Sequence, residues 1–203
     1  IKRRMLAVSL REDAPDVVIT EIGGTVGDIE SLPFLEAARQ LKNEVGRENV
    51  LYIHVTLVPY ISAAGELKTK PTQHSVKKLQ ELGIQPDILI LRTEHDIPAG
   101  MRRKIAQFCN VAPNAVFQSI DLPSIYEVPV AMHAQHLDEV VLGKLGVNPE
   151  GEPHMTPWMN FLDKMHSAKQ TVTIGLVGKY VELQDAYKSV SYTHLRAHET
   201  SQD

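Results

Sequence analysis

Residues 16–30, DVVITEIGGTVGDIE, decide the fold that the sequence predicts. Val17, Val18 and Ile19 form an unbroken apolar run, which is typical of a strand covered on both faces of a parallel sheet. Glu21 follows the run, and a buried carboxylate is costly unless it is paired, hydrogen-bonded or bound to a metal. Ligands of open α/β sheets bind at the carboxyl ends of the strands. We therefore predict an α/β protein with a ligand-binding edge at Glu21.

The glycine-rich turn that follows leads into a predicted helix over residues 33–46. Three glycines within residues 23–27 allow a ligand to approach the backbone closely. Pro33 suits the first turn of the helix, where its missing N–H is not needed. Asp28 and Ser31 are also ordinary helix-capping residues. The turn alone therefore leaves two interpretations open, a ligand site or an acidic helix cap.

A second strand and loop contain several phosphate-binding residue types. Residues 51–58, LYIHVTLV, are rich in β-branched side chains and predict a strand. Residues 65–73, GELKTKPTQ, place two lysines before a helix predicted over 73–83, with Thr72 as its cap and Gly83 at its end. A helix N-terminus behind lysines is an anion site that suits a triphosphate. A solvated lysine loop before an ordinary helix remains the alternative.

Strands and helices alternate along the rest of the first 145 residues. We predict strands over 87–91 and from Ala115, and helices over 99–110 and 129–145. This alternation predicts a parallel sheet wrapped by helices, with right-handed connections.

The character of the sequence changes after residue 146. Residues 147–170 contain a cluster of proline, glycine and acidic residues, which predicts an interdomain linker with a short helix around 157–167. Residues 171–177, TVTIGLV, predict the first strand of a second domain.

Composition excludes several classes of protein. The 203 residues carry a net charge of -4, which disfavours nonspecific nucleic-acid binding. No run of eighteen apolar residues occurs, so we predict no transmembrane helix and no membrane partner. The single cysteine, Cys109, excludes an internal disulfide and favours a reducing compartment. Its apolar helical neighbours favour a buried structural thiol over a nucleophile.

Histidine pairs do not indicate a metal site. His133 and His136 are three residues apart on one predicted helix face, and His194 and His198 are four apart. Because no carboxylate or cysteine set completes either pair, we expect solvent-facing or capping roles. His54, inside a predicted strand, is expected to be a core or pocket residue.

Two long segments resemble the synthetase (amidoligase) domain of the CTP synthase family. They are EIGGTVGDIESLPFLEA from Glu21 and GELKTKPTQHSVKKLQELGIQPDILILR from Gly65, within a resemblance that covers roughly residues 10–189. The resemblance implies a P-loop, dethiobiotin-synthetase-like fold, a mostly parallel sheet flanked by helices.

The resemblance also implies a domain division. Residues 1–146 would be a partial synthetase domain and residues 147–170 a linker. Residues 171–190 would begin a class I glutamine amidotransferase domain, a second α/β unit. Residues 191–203 do not resemble the family's continuation, and two interpretations stay open there, an artefactual tail or a genuine divergent end.

The resemblance implies binding roles for particular residues. Glu21 would bind Mg²⁺. The product CTP would be recognised by Asp28, Ile29 and Glu30. UTP and CTP would be held, mainly through their triphosphates, by Lys68, Thr69, Lys70, Pro71, Thr72, Gln73 and Lys104. ATP would lie beside Ile120, Asp121 and Leu122. We expect these segments to line one nucleotide site, and we expect no general base among them.

The family reaction suits these residue types. ATP phosphorylates the 4-oxygen of UTP, and ammonia derived from glutamine displaces the phosphate to give CTP. Phosphoryl transfer depends mainly on positioning and charge neutralisation. Carboxylates are ligands of Mg²⁺, and lysines bind phosphate as point charges. The resemblance further implies GTP as an allosteric activator, a homotetramer and a cytoplasmic location.

The sequence departs from the family pattern in its phosphate loop. No G-x-x-x-x-G-K-[ST] occurs among the 203 residues, and the family's second metal-binding aspartate and glutaminase cysteine have no match. We therefore expect no synthetase or glutaminase activity from these residues alone. Two alternatives stay open: another P-loop-type ATP-dependent ligase resembling dethiobiotin synthetase, and a non-catalytic oligomerisation or regulatory module.

Overall fold

The computed structural model describes residues 1–148, 151–173, 175–182 and 187, which divide into two compact units. The first unit comprises residues 1–154 and the second begins at Met155. The described helices of the first unit are α1 (Lys2–Leu6), α2 (Leu32–Val45), α3 (Lys70–Glu81), α4 (Ala99–Cys109), α5 (Val128–His133) and α6 (Leu137–Lys144). Its described strands are β1 (Ile53–Leu57), β2 (Tyr60–Ile61), β3 (Glu66–Leu67), β4 (Ile88–Thr93) and β5 (Val116–Ile120).

A three-stranded parallel sheet in the order β1-β4-β5 organises the first unit. Ile88, Leu89 and Leu91 of the central strand are 0% exposed, because strands flank β4 on both sides and helices cover its faces. Helix α3 packs against β1 and α4, and α5 packs against β5. The predicted α/β fold with a parallel sheet is therefore confirmed.

Strand β1, at the edge of the sheet, has one buried face and one exposed face. His54 and Thr56 are buried toward α3, to which both side chains are hydrogen-bonded. Ile53, Val55 and Leu57 alternate with them and are exposed. Successive side chains of a strand point to opposite faces, so only one face of β1 is covered by the described residues.

The strand predicted over residues 16–20 is wrong. These residues are extended but form no strand, and Ile19 is 91% exposed. A strand needs a neighbour to bond its N–H and C=O groups, and no described strand pairs with this segment. Glu21 therefore does not end a sheet strand in this structure.

The helix predicted over residues 129–145 is two helices. α5 ends at His133 and α6 begins at Leu137, because His136 takes a left-handed conformation with φ 62°. His133 and His136 consequently do not share one helix face. His133 Nδ1 lies 2.7 Å from Asp138 Oδ2, and His136 Nδ1 lies 2.8 Å from Glu139 Oε1.

The second unit contains α7 (Thr156–Ser167), which confirms the helix predicted around 157–167. Leu162 is buried, and the rings of Trp158 and Phe161 are 5.6 Å apart. The strand predicted over 171–177 is wrong for the described residues, which form no strand there. Val177 is 97% exposed and has no described strand beside it. Residues 191–203, with His194 and His198, lie outside the described residues.

Candidate nucleotide site

The candidate site lies where β1 ends and α3 begins. Antiparallel strands β2 and β3 form a hairpin between them, with Gly65 at φ +64° in its turn. The hairpin returns the chain to the end of β1, because Lys68 N–H donates to the Pro59 carbonyl at 2.9 Å. The lysine segment, residues 68–73, is therefore held at the carboxyl edge of the sheet, where ligands of open α/β folds bind.

The N-terminus of α3 differs from the prediction by three residues. Thr69, and not Thr72, is the residue that precedes the helix, and its side chain makes no capping hydrogen bond. The Thr69 hydroxyl instead accepts from Gln73 Nε2 at 3.1 Å. Pro71 occupies the first turn, where an N–H is not required. The remaining first-turn N–H groups are therefore available to an anion.

Two lysines flank this helix start. Lys68 and Lys70 are both exposed, and Lys68 forms an ion pair with Glu66. An exposed pair of this kind contributes little to stability, so an incoming phosphate can replace the Glu66 carboxylate at small cost. The lysine segment thus combines two exposed cations with the positive end of a helix.

Thr72 has a different environment from its neighbours. Its side chain is 0% exposed, and its hydroxyl lies 3.0 Å from both the Leu57 carbonyl and Thr56 Oγ1. The hydroxyl is therefore directed to β1. A direct contact between Thr72 and a nucleotide stays a prediction.

The acidic turn, residues 21–30, is stabilised by hydrogen bonds between its own residues. Asp28 Oδ2 accepts from Thr25 N–H at 3.0 Å, and the Ser31 hydroxyl donates to the Asp28 carbonyl at 2.9 Å. Gly27 has φ +105°, and a Cβ there would lie 3.1 Å from Lys78 Cε. The positive φ therefore favours glycine here, whereas the exposed Lys78 side chain could shift to make room for a Cβ.

The acidic turn lies beside the last turns of α3 and not beside its start. Ile22 and Val26 pack with Leu79, and Gly27 contacts Lys78. Lys78 is eight residues beyond Lys70, which is about 12 Å along a helix axis. The described contacts therefore do not bring Asp28, Ile29 and Glu30 into the lysine segment.

The other predicted residues lie at the end of β5 and on α4. Ile120 is the last residue of β5, and Asp121 follows it, with its N–H donating to the Thr93 carbonyl at 3.0 Å. Asp121 is exposed and lies 3.8 Å from Arg92, whereas Leu122 is partly exposed. Lys104 is exposed on α4. The ATP role of residues 120–122 and the nucleotide role of Lys104 stay predictions.

Glu21 is exposed and carries no ligand set of its own. Among the described residues, no group of three or more histidine, cysteine, aspartate or glutamate side chains could hold a metal ion. Magnesium is often held by one or two carboxylates together with substrate phosphates, so Glu21 has the right chemistry. Its role in Mg²⁺ binding stays a prediction.

A cavity of about 420 Å³ was not predicted from the sequence. It lies between the β2–β3 hairpin and the loop after β4, with Tyr60, Leu67, His95 and Met101 in its lining. The rings of Tyr60 and His95 meet edge to face with centroids 4.2 Å apart. The only sequence signal was that both aromatic residues follow predicted strands.

Two buried titratable residues are structural. Burial raises the pKa of the Cys109 thiol to about 11, and the residue is 1% exposed. This confirms the predicted buried, unreactive thiol. Burial lowers the pKa of His54, whose Nε2 lies 2.9 Å from Ser75 Oγ, so His54 is neutral at pH 7. It is a core residue, as predicted.

A three-stranded parallel sheet flanked by helices defines an α/β protein. No described helix has the length and apolar character needed to cross a membrane. The family described as the CTP synthase N-terminus matches residues 1–147, and the chain belongs to it.

Several curated proteins that are similar in sequence are named CTP synthase. The chain is 63% identical over 182 residues to a CTP synthase of Porphyromonas gingivalis, covering 90% of this chain and 34% of that protein. It is 65% identical over 176 residues to one of Bacteroides fragilis, covering 86% and 33%. It is 58% identical over 191 residues to one of Carboxydothermus hydrogenoformans, covering 94% and 35%. The chain spans about a third of the length of these relatives.

Proposed function

We propose that this chain supplies the nucleotide-binding part of a CTP synthase, a ligase that aminates UTP to CTP at the expense of ATP. The observation that carries the proposal is the uncapped start of α3 between Lys68 and Lys70, in a chain of this family. Glutamine would supply the ammonia and GTP would activate the enzyme, which would act as a cytoplasmic homotetramer. A purely regulatory or oligomerisation module remains the alternative.

The triphosphate of UTP or CTP would bind at the lysine segment. Each phosphate carries negative charge that the positive end of α3 stabilises, and first-turn N–H groups would donate to its oxygens. Lys68 would exchange its bond to Glu66 for one to phosphate, a charge-assisted hydrogen bond about twice as strong as a neutral one. Lys104, from the neighbouring α4, would add a further cation.

The other predicted residues would complete the enzyme site. Glu21 would hold Mg²⁺, which neutralises the phosphates during transfer. Asp28, Ile29 and Glu30 would recognise the cytosine of CTP and mediate feedback inhibition. The acidic turn lies far along α3 from Lys70. The CTP molecule that Asp28, Ile29 and Glu30 recognise would therefore need contacts with residues outside the lysine segment as well. Ile120, Asp121 and Leu122 would border the adenine of ATP.

The domain division is part of the proposal. Residues 1–146 would form the synthetase part, residues 147–170 the linker and residues 171–190 the start of the amidotransferase domain. The boundary between the two compact units, after residue 154, falls inside the proposed linker. Because the 203 residues contain no G-x-x-x-x-G-K-[ST] motif, we propose that they do not form CTP by themselves.

Titration calorimetry with CTP tests the phosphate site. We expect Lys68→Ala to weaken CTP binding by about tenfold, since one charge-assisted hydrogen bond to phosphate is lost. We expect the difference to shrink at high salt, because exposed charges are screened. Lys77→Ala is the matched control, because Lys77 is also an exposed lysine but lies further along α3. Equal affinities for wild type and Lys68→Ala would contradict the assignment.

A further inference from the structure

A line of polar side chains, three of them buried and Ser75 half-buried, joins α3 to β1. We call it the hydroxyl seam, and it consists of His54 and Thr56 on β1 with Thr72 and Ser75 on α3. His54 Nε2 lies 2.9 Å from Ser75 Oγ, and Thr56 Oγ1 lies 3.0 Å from Thr72 Oγ1. Val58 and Val76, which belong to one buried apolar cluster, are 0% and 1% exposed.

The periods of the two elements bring the seam into register. His54 and Thr56 are two residues apart and so point to the same face of the strand. Thr72 and Ser75 are three residues apart and so lie on the same face of the helix. Each strand residue consequently meets one helix residue.

The direction of the central hydrogen bonds follows from the number of hydroxyl protons. A threonine hydroxyl has one proton to donate. Thr72 Oγ1 donates it to the Leu57 carbonyl at 3.0 Å, so the proton between the two threonines belongs to Thr56. Thr56 therefore donates to Thr72, which donates to Leu57. Such a chain of hydrogen bonds is strengthened because each bond polarises the next.

The seam acts at the position where the helix start is defined. Thr72 is the third residue of α3, and Leu57 is the last residue of β1. Their hydrogen bond ties the first turn of α3 to the carboxyl end of the sheet. A buried hydroxyl is expensive to leave unpaired, so this arrangement holds the first turn in one position.

We propose that Thr72, supported by Thr56, is a positioning residue for the triphosphate site. Its hydroxyl touches no ligand and is bonded to β1, and it orients the first-turn N–H groups of α3, its own included, and the adjoining Lys68 and Lys70 toward the phosphates. This inference rests on the proposed function. It assigns Thr72 a role that differs from the direct contact made by its neighbours.

Paired substitutions separate the hydroxyl from the side-chain volume. Thr72→Val keeps the volume and removes the hydroxyl, whereas Thr72→Ser keeps the hydroxyl. Thr56→Val removes the donor to Thr72 and leaves the Thr72–Leu57 bond in place. Two measurements on the 203-residue chain apply to every variant: hydrogen exchange of the amides of residues 70–75 without nucleotide, and titration calorimetry with CTP.

We expect Thr72→Val to raise exchange at residues 70–75 and to weaken CTP binding by about tenfold, the cost of one buried hydrogen bond. Thr72→Ser should stay within about twofold of wild type in both measurements, and Thr56→Val should be intermediate. A Thr72→Val protein that is folded and matches wild type in exchange and affinity would overturn the proposal.

The two measurements also distinguish failure of the positioning role from failure of the proposed function. If wild type binds no CTP, the proposed function fails, and the exchange data alone decide whether Thr72 positions α3. If Thr72→Val does not fold, Thr56→Val decides: faster exchange at residues 70–75 supports the proposal, and wild-type exchange overturns it.

Discussion

Two segments with nearly the same sequence pattern have different structures in this molecule: one is a buried strand and the other forms no strand. Asp87-Ile88-Leu89-Ile90 opens the central strand β4, where Ile88 and Leu89 are 0% exposed. Asp16-Val17-Val18-Ile19 forms no strand, and Ile19 is 91% exposed. β4 lies between two parallel neighbours that bond its backbone, whereas no described strand adjoins residues 16–20. An apolar run is therefore not a sufficient condition for a buried strand.

The same substitution in both segments should give the largest difference. We expect Ile88→Ala to lower the free energy of unfolding by about 2–5 kcal/mol, because it removes fully buried methyl groups and leaves a cavity. Ile19→Ala should change it by less than about 0.5 kcal/mol, as surface substitutions do. Urea denaturation of both variants measures the two values. Similar losses would show that residues 16–20 are packed in solution, and the comparison would fail.

The aspartates that open the two segments should differ by less. Asp87 Oδ2 accepts from the Lys42 ammonium at 2.9 Å and from Tyr52 N–H at 2.8 Å. We expect Asp87→Asn to cost about 1–2 kcal/mol, because both bonds lose their charged acceptor. Asp16 is exposed. Asp16→Asn is the control and should leave the urea midpoint unchanged; a loss as large as that of Asp87→Asn would contradict this assignment.

The smallest expected effect is a pH dependence of opposite sign at two histidines. Burial lowers the pKa of His54 below 6.5, so the unfolded chain binds the proton more readily. The contribution of His54 is thus full above pH 6.5 and is lost as pH falls below it. A hydrogen bond to Glu139 raises the pKa of exposed His136, whose contribution is full below pH 6.5 and is lost as pH rises through the raised pKa.

Urea midpoints between pH 5.5 and 8 measure these contributions. His54→Gln should reduce the loss of stability on acidification, whereas His136→Gln should increase it. The buried histidine should have the larger effect, because solvent screens the exposed pair. Equal slopes for wild type and His54→Gln would show that His54 is not buried in solution.

Local pattern predicted most elements of the sheet body. Residues 51–58 and 87–91 contain β1 and the start of β4, and the helices predicted over 33–46, 73–83 and 99–110 correspond to α2, α3 and α4. Periodicity is sufficient there because each element has one buried face that local spacing records. The helix over 129–145 was predicted as continuous because its apolar spacing does not reveal the left-handed residue His136.

Only part of the candidate site has a signature that is visible in the sequence. Lys68 and Lys70 are visible in sequence because a lysine segment before a helix has a local signature. The edge-to-face pair of Tyr60 and His95 is not visible, since the two residues belong to separate loops. The buried position of Thr72 is also invisible, because a threonine near a helix start is typical of a cap.

The sequence by itself determined the helices α2, α3 and α4, the strands β1 and β4, the parallel α/β class and the lysine segment, since each depends on neighbouring residues and their spacing. Its likeness to the CTP synthase N-terminal family likewise resides in unbroken segments. The tertiary structure alone decided which apolar run became a strand, since backbone groups need partners distant in sequence. It also decided that the Thr72 hydroxyl points to Leu57 and that the acidic turn lies far from Lys70. Those contacts join residues that are distant along the chain, and no local sequence pattern predicts such pairs.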